Sequence, residues 1–179
     1  MLDGNWELLF PEGWGAPEKL LVPELSSWTN SDIPGVRYFS GTATYKKSFQ
    51  HTKDQDAVDD HRIYLDLGEL SKVGEVWLND THLGIAWTKP YKFDVTDIIK
   101  SGENSLTVEI SNTWSNRLTG DAITGEKYTN SNIVSTIVPA PALTTGDQAR
   151  VPWKDVPLIE SGLLGPVRIV TYIKWQLRD

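Results

Sequence analysis

Short runs of alternating apolar and polar residues dominate the chain, and turn residues break them at close intervals. That alternation has the period of a β-strand with one face buried, and the turns come too often for long helices. The first strand is expected around Trp6–Phe10. Gly41–Phe49 (GTATYKKSF) sets Ala43, Tyr45 and Phe49 on one face and Thr42, Thr44, Lys46 and Ser48 on the other. Lys47 falls on the apolar face and breaks it, which predicts that the strand leaves the core there. Ile63, Leu65 and Leu67 alternate inward over Arg62–Leu67, and Val76 and Leu78 do so over Lys72–Leu78. Asn79-Asp80 is a turn pair, after which a strand resumes over Thr81–Trp87. Tyr91–Val95 is a short strand, and Thr96-Asp97 can cap a single helical turn over Ile98–Lys100. Leu106, Val108 and Ile110 share a face over Ser105–Asn112, and Val167, Ile169 and Ile173 do so over Gly165–Trp175.

Between these runs the pattern fails. Pro11, Gly13, Gly15, Pro17, Pro23, Pro34 and Gly35 leave room only for a wrapping segment over residues 1–37. His51–Arg62 is a charged loop. Residues 113–157 carry four prolines and no clear period, and a loop that long in a compact domain is commonly functional or poorly ordered. No helix longer than two turns is expected. Many short antiparallel strands read as an all-β sandwich or barrel, and the long crossing loops favour a jelly-roll sandwich. The 179 residues suit a single domain, 1–179, with 122–160 as its long loop region.

Composition narrows the function classes. There is no cysteine, which excludes disulfides, thiolate metal sites and cysteine nucleophiles. A net charge of −7 argues against nucleic acid and anionic membrane partners, both of which call for basic patches. No apolar run is long enough to span a bilayer. Met1 is followed at once by LDGNWELLF, with no basic n-region, so no signal peptide is expected. Eight Trp in an acidic chain suit a neutral, polar ligand.

Four segments, YFSGTATYKKSF, LDLGELSKVGEVWLNDTHLGIAW, PYKFDVTDIIKSGENSLTVEISNTWSNRLTGD and SGLLGPVRI, follow one another in the chain. In that order they resemble the galactose-binding-like jelly-roll domain of large glycoside hydrolases. The likeness is greatest to the C-terminal domain of family 106 α-L-rhamnosidases and more distant to the sugar-binding domain of family 2 β-galactosidases. It covers roughly residues 36–121 and 161–173. It implies a β-sandwich acting as an accessory beside a catalytic domain, in a bacterial parent enzyme that is extracellular or periplasmic. In that setting this chain is a domain of a larger secreted protein, its partners are carbohydrate and the parent's catalytic domain, and it is not itself an enzyme. No cofactor is expected. Such domains often hold a structural calcium, whose ligands this sequence does not assign.

Sugars bind by stacking a C–H face on an aromatic ring while side chains bond the hydroxyls. Trp87 precedes Thr88-Lys89-Pro90-Tyr91, and Trp114 stands among Asn112, Asn116, Arg117 and Asp121. Amides, a guanidinium fork and a carboxylate can together read vicinal hydroxyls. The expected carbohydrate site is therefore Trp87, Tyr91, Asn112, Trp114, Asn116, Arg117 and Asp121, on two adjoining loops. A plainer reading stands beside it, in which Trp114 packs in the core and Arg117 pairs with Asp121 to hold the loop. Trp77 alternates with Val76 and Leu78, so it lies on the other sheet face, either packed under a loop or open as a platform. Trp6, Trp14 and Trp28 suit plugs at the sandwich edge. Trp153 can add to the loop end, and Trp175 suits packing. His51, His61 and His82 lack ligand spacing, and Asp54, Asp56, Asp59 and Asp60 lack the spacing and central glycine of a calcium loop. Three functions compete: a carbohydrate-binding accessory module, a structural domain docked on a catalytic one, and a small β-sandwich lyase or hydrolase. The motifs of hydrolase elbows and phosphate loops are absent, and sequence gives no separation for paired carboxylates.

Overall fold

The computed structural model describes residues 1–52, 61–126, 128, 129, 136, 137 and 151–173. The strands in chain order are β1 (Trp6–Leu9), β2 (Lys19–Val22), β3 (Thr42–His51), β4 (His61–Asp66), β5 (Glu69–Ser71), β6 (Val73–Leu78), β7 (Thr81–Ala86), β8 (Lys92–Asp94), β9 (Gly102–Ser111), β10 (Thr136–Ile137), β11 (Val151–Pro152), β12 (Gly162–Gly165) and β13 (Arg168–Ile173). Two α-helices join them, α1 (Pro34–Arg37) and α2 (Ser115–Thr124). One antiparallel sheet has six strands in the order β2-β1-β3-β9-β6-β7. Facing strands form smaller sheets, β13-β4-β8 and β12-β5, and β10 pairs with β11. This is the antiparallel β-sandwich that the alternation predicts.

Alternation places the core. Ala43 and Tyr45 of β3, Val76 and Leu78 of β6, and Leu106, Val108 and Ile110 of β9 are buried on the inner face of the large sheet. Leu65, Leu67, Leu70, Leu163 and Val167 are buried in the facing layer. Each of these Val, Leu and Ile side chains contributes about 1.5–3 kcal/mol relative to exposure. Lys47 sits on the inner face near the sheet's end, where its Nζ donates to the Asp3 and Asn5 carbonyls at 2.5 and 2.9 Å. The alkyl stem stays against the protein while the ammonium reaches polar partners. Asn79 and Asp80 both take positive φ (51° and 65°), the left-handed pair that a two-residue hairpin turn requires.

The segment before residue 37 is more regular than its prolines suggest. β1 and β2 form a hairpin that extends the large sheet through pairing of β1 with β3. Trp6, Phe10 and Trp28 are buried. Trp28 Nε1 donates to the Tyr45 hydroxyl at 2.6 Å, and that hydroxyl also accepts from Leu163 N at 3.2 Å. Gly162 carries φ of 108°, and a Cβ there would lie 2.7 Å from both the Trp28 Nε1 and the Tyr45 hydroxyl. Glycine is what lets the two layers close over this contact.

Three local expectations are corrected. Asp94, rather than Thr96, caps the turn after β8, its Oδ1 accepting from Thr96 N and Thr96 Oγ1. The Thr96 hydroxyl instead accepts from Ile63 N of β4. The final strand is two strands, β12 and β13, with Gly165-Pro166 between them. The irregular stretch after Asn112 opens with α2, a helix of ten residues, where no helix longer than two turns was expected. Helix α2 was missed because the side it buries is polar: Asn116, Arg117, Thr119 and Gly120. An apolar stripe at helical spacing is the usual signal, and α2 has none. A Cβ on Gly120 would stand 2.4 Å from Tyr38 Cβ, so the helix approaches the body of the domain closely there. Gly125, in the left-handed region, ends it. The charged residues Asp54, Asp56, Asp59 and Asp60, most of the 122–160 region and Trp175 lie outside the described residues.

Candidate functional site

Strand register brings the two predicted segments to one end of the sandwich. Gly74 of β6 pairs with Ala86 on one side and Ile110 on the other. The chain therefore leaves β7 toward Trp87 and β9 toward Asn112 at the same end. Trp87 is 72% exposed and Trp114 is 53% exposed. Trp114 is thus a surface residue rather than a core one. Its ring lies 5.6 Å from that of Trp14, tilted by 49°, so the N-terminal segment contributes an indole beside it. Tyr91 is half-buried against the core, and its carbonyl accepts from Leu67 N at 3.0 Å. Between Trp87 and Tyr91, Lys89 Nζ lies 2.6 Å from Glu69 Oε1, and that hydrogen bond holds the exposed ammonium above the usual lysine range.

The polar members of the predicted site face inward. Asn112 Oδ1 accepts from Gly41 N at 2.8 Å, and Nδ2 donates to the Phe39 carbonyl and to Ser161 Oγ, each at 2.9 Å. Asn116 is 2% exposed. It closes a two-way link with Ile159, accepting from its N at 2.8 Å and donating to its carbonyl at 2.7 Å. Both amides therefore tie the backbone of the last loop to the start of β3 and to α2. Buried backbone groups require such partners where no strand is available.

Arg117 is 2% exposed, and its Nε lies 2.8 Å from Asp121 Oδ1, one helical turn on. The two atoms are close but off line for a hydrogen bond. The guanidinium also lies 4.6 Å from the Tyr128 ring centre, a cation–π contact. Ser40 Oγ accepts from Arg117 N at 3.0 Å near the helix start. The helix thus converts the Arg–Asp spacing into a buried pair, and the plainer of the two sequence readings describes its geometry.

The remaining aromatic and titratable candidates separate by layer. Trp77 stands half-buried on the outer face of the large sheet, its ring 5.3 Å from that of His82. His82 Nε2 lies 3.0 Å from Glu75 Oε1. Trp153 lies in a single 3-10 turn and is half-buried. Among the described residues, no group of three or more His, Cys, Asp or Glu could hold a metal ion. Among them, too, no helix is long and apolar enough to cross a membrane.

The family model of the glycosyl hydrolase 2 galactose-binding domain-like group matches residues 30–146. The chain belongs to that family. A Formosa agariphila protein named "Putative beta-glucuronidase" is 36% identical over 186 residues, covering 99% of this chain but 16% of that protein. The rhamnosidase from Novosphingobium sp. PP1Y superposes with a TM-score of 0.78 at 34% identity, over 96% of this chain and 15% of the rhamnosidase. The Ruminococcus gnavus beta-glucuronidase shares the fold, with a TM-score of 0.51 at 24% identity over 62% of this chain and 20% of its own. The chain therefore spans about one-sixth of the length of the curated relative it matches and corresponds to an accessory domain of glycoside hydrolases. The motif order read from the sequence pointed to this family, with both its rhamnosidase and its family 2 relatives.

Proposed function

We propose that this domain is a non-catalytic carbohydrate-binding module of a polysaccharide-degrading glycoside hydrolase. In this reading its loop end, with Trp87, Tyr91 and Trp114, meets the sugar. The observation that carries it is the exposure of Trp87 and Trp114 at one end of a domain from a glycoside hydrolase family. Exposed apolar rings at one end of a domain suit a contact surface. Of the seven predicted residues, Trp87 and Trp114 keep exposed ring surface for stacking and Tyr91 is half-buried, while Asn112, Asn116, Arg117 and Asp121 shape the surface from beneath. The parent enzyme works outside the cytoplasm, and its catalytic domain is the partner in the chain.

A second reading draws on the inward-facing amides. A surface with exposed indoles and few free hydroxyl readers also suits packing on a catalytic domain. Affinity-gel electrophoresis against rhamnose-, galactose- and uronate-containing polysaccharides tests the pair. The first reading expects retardation that Trp87→Ala and Trp114→Ala abolish. Silence across all of these glycans, or retardation that survives both substitutions, sinks it and favours docking.

A further inference from the structure

The outer face of the six-stranded sheet holds a second arrangement that the loop end does not explain. Register aligns side chains across five strands in two rows. The first runs Glu7, Lys46, Thr107, Trp77, His82. The second runs Leu9, Thr44, Glu109, Glu75, Ile85. Paired residues in antiparallel strands share a face, so these rows lie side by side. They form the floor of an open, shallow cleft of about 410 Å³ lined by Leu9, Thr44, Lys46, Trp77, Asp80, Thr107 and Glu109. Small-molecule sites run from about 300 to 1,000 Å³. Among the described residues, Lys46 and Glu109 pair with no opposite charge. Glu7, by contrast, pairs with Lys19, and Glu75 Oε1 lies 3.0 Å from His82 Nε2.

We infer that this cleft is a second carbohydrate site, taking a neutral oligosaccharide laid across the strands with one ring stacked on Trp77. The chemistry fits each part. A half-buried indole, with the His82 ring tilted by 43° against it, offers a flat apolar surface. Lys46 donates hydrogen bonds, Glu109 and Asp80 accept them, and Thr44 and Thr107 do both, which is the mixture that hydroxyls need. The charge selects against an acidic sugar: the Glu109 and Asp80 carboxylates, neither ion-paired among the described residues, share the cleft with one ammonium, that of Lys46, within a chain of net charge −7. A uronate chain would be repelled by that field. Apart from Asp80 in the β6–β7 turn, the lining residues stand on strands, so the sheet fixes the backbone positions from which they reach the ligand.

This inference shares the carbohydrate reading above but not its surface, and the test separates the two. The 179-residue chain is titrated by calorimetry with cellotetraose, xylotetraose, β-1,4-galactotetraose and trigalacturonate. Trp77→Ala, Glu109→Gln and the double Trp87→Ala/Trp114→Ala variant are titrated alongside, with thermal unfolding as the check on folding. The expected result is saturable binding of a neutral tetrasaccharide, weakened by about tenfold or more in Trp77→Ala. Glu109→Gln, which keeps the shape, weakens it less, and the loop-end double variant keeps it. Silence toward all three neutral probes overturns the inference. Tighter binding of trigalacturonate overturns it too, as does full affinity in a folded Trp77→Ala. Loss of binding in the loop-end variant alone overturns the sheet-face site while upholding the loop end. Protection of Trp77 from acrylamide quenching in the whole parent enzyme without sugar assigns the face to a catalytic domain instead.

Discussion

Replacing Asn112 with alanine tests whether the amides at the loop end serve the fold or a ligand. The side chain makes three hydrogen bonds, to Gly41 N, the Phe39 carbonyl and Ser161 Oγ. Ser161 Oγ keeps Asn116 and the Ile159 carbonyl, so it is not stranded. Gly41 N and the Phe39 carbonyl lose the partner that Asn112 supplies. An orphaned buried donor costs about 1–3 kcal/mol, and a lost ordinary hydrogen bond about 1 kcal/mol. The site is only partly buried, and water can replace some of this, so a total of about 3 kcal/mol is expected. In a chain of this size that lowers Tm by roughly 6–12 °C. Scanning calorimetry gives the Tm, and sugar titration well below the transition gives the affinity. The expected outcome is a lower Tm with unchanged sugar affinity. An unchanged Tm with affinity lost would make Asn112 a ligand contact and refute the argument.

Two further outcomes follow from buried groups. Burial pushes the Tyr45 hydroxyl up to about 12, against roughly 10 in the unfolded chain. Between those values the unfolded chain has released its proton while the folded one keeps it, so stability falls as pH rises, by about 3 kcal/mol in all. Urea unfolding at pH 8, 10 and 11 should show that slope, and Tyr45→Phe should flatten it; equal slopes would contradict the assignment. Asp121→Asn leaves Arg117 buried without its counter-charge and should cost about 3–5 kcal/mol in urea denaturation. Arg117→Met/Asp121→Leu should recover most of that loss, and a double variant no better than the single would show that the charge is not the cause.

The sandwich was legible because its strands are amphipathic with period two. Val76, Leu78, Leu106, Val108 and Ile110 all fall inward as the alternation requires. The Asn79-Asp80 turn was legible because left-handed backbone favours those residues. The β1–β2 hairpin was only half legible, since prolines and glycines on its flanks hide a four-residue strand whose partner is 12 or so positions away. Helix α2 was illegible for a physical reason. It docks through amides, a guanidinium and a close glycine contact, and none of these leaves a hydrophobic period. The same confusion touched the site. Asn, Arg and Asp in an irregular segment carry one set of donors and acceptors, and sequence cannot tell whether backbone or hydroxyls receive them.

The distribution of tryptophan resolves that ambiguity better than the distribution of polar residues does. Trp6 and Trp28 are buried, and each has an inward partner, with Tyr45 edge-on to one and hydrogen-bonded to the other. These two are accounted for by packing alone. Trp87 and Trp114 gain no such burial, and Trp77 gains only part. An indole left in water forgoes the stabilisation that burial would contribute, so an exposed one is accounted for by the fold least of all. Polar side chains behave in the opposite way. Asn112 and Asn116 look like ligand readers in the sequence, yet irregular backbone that cannot pair as a strand needs such amides to satisfy it. In a loop-rich β-sandwich, then, polar clusters first answer the demands of the loops. Both proposed sugar surfaces rest accordingly on rings that the fold leaves wholly or partly uncovered, Trp87 and Trp114 at the loop end and Trp77 on the outer sheet face.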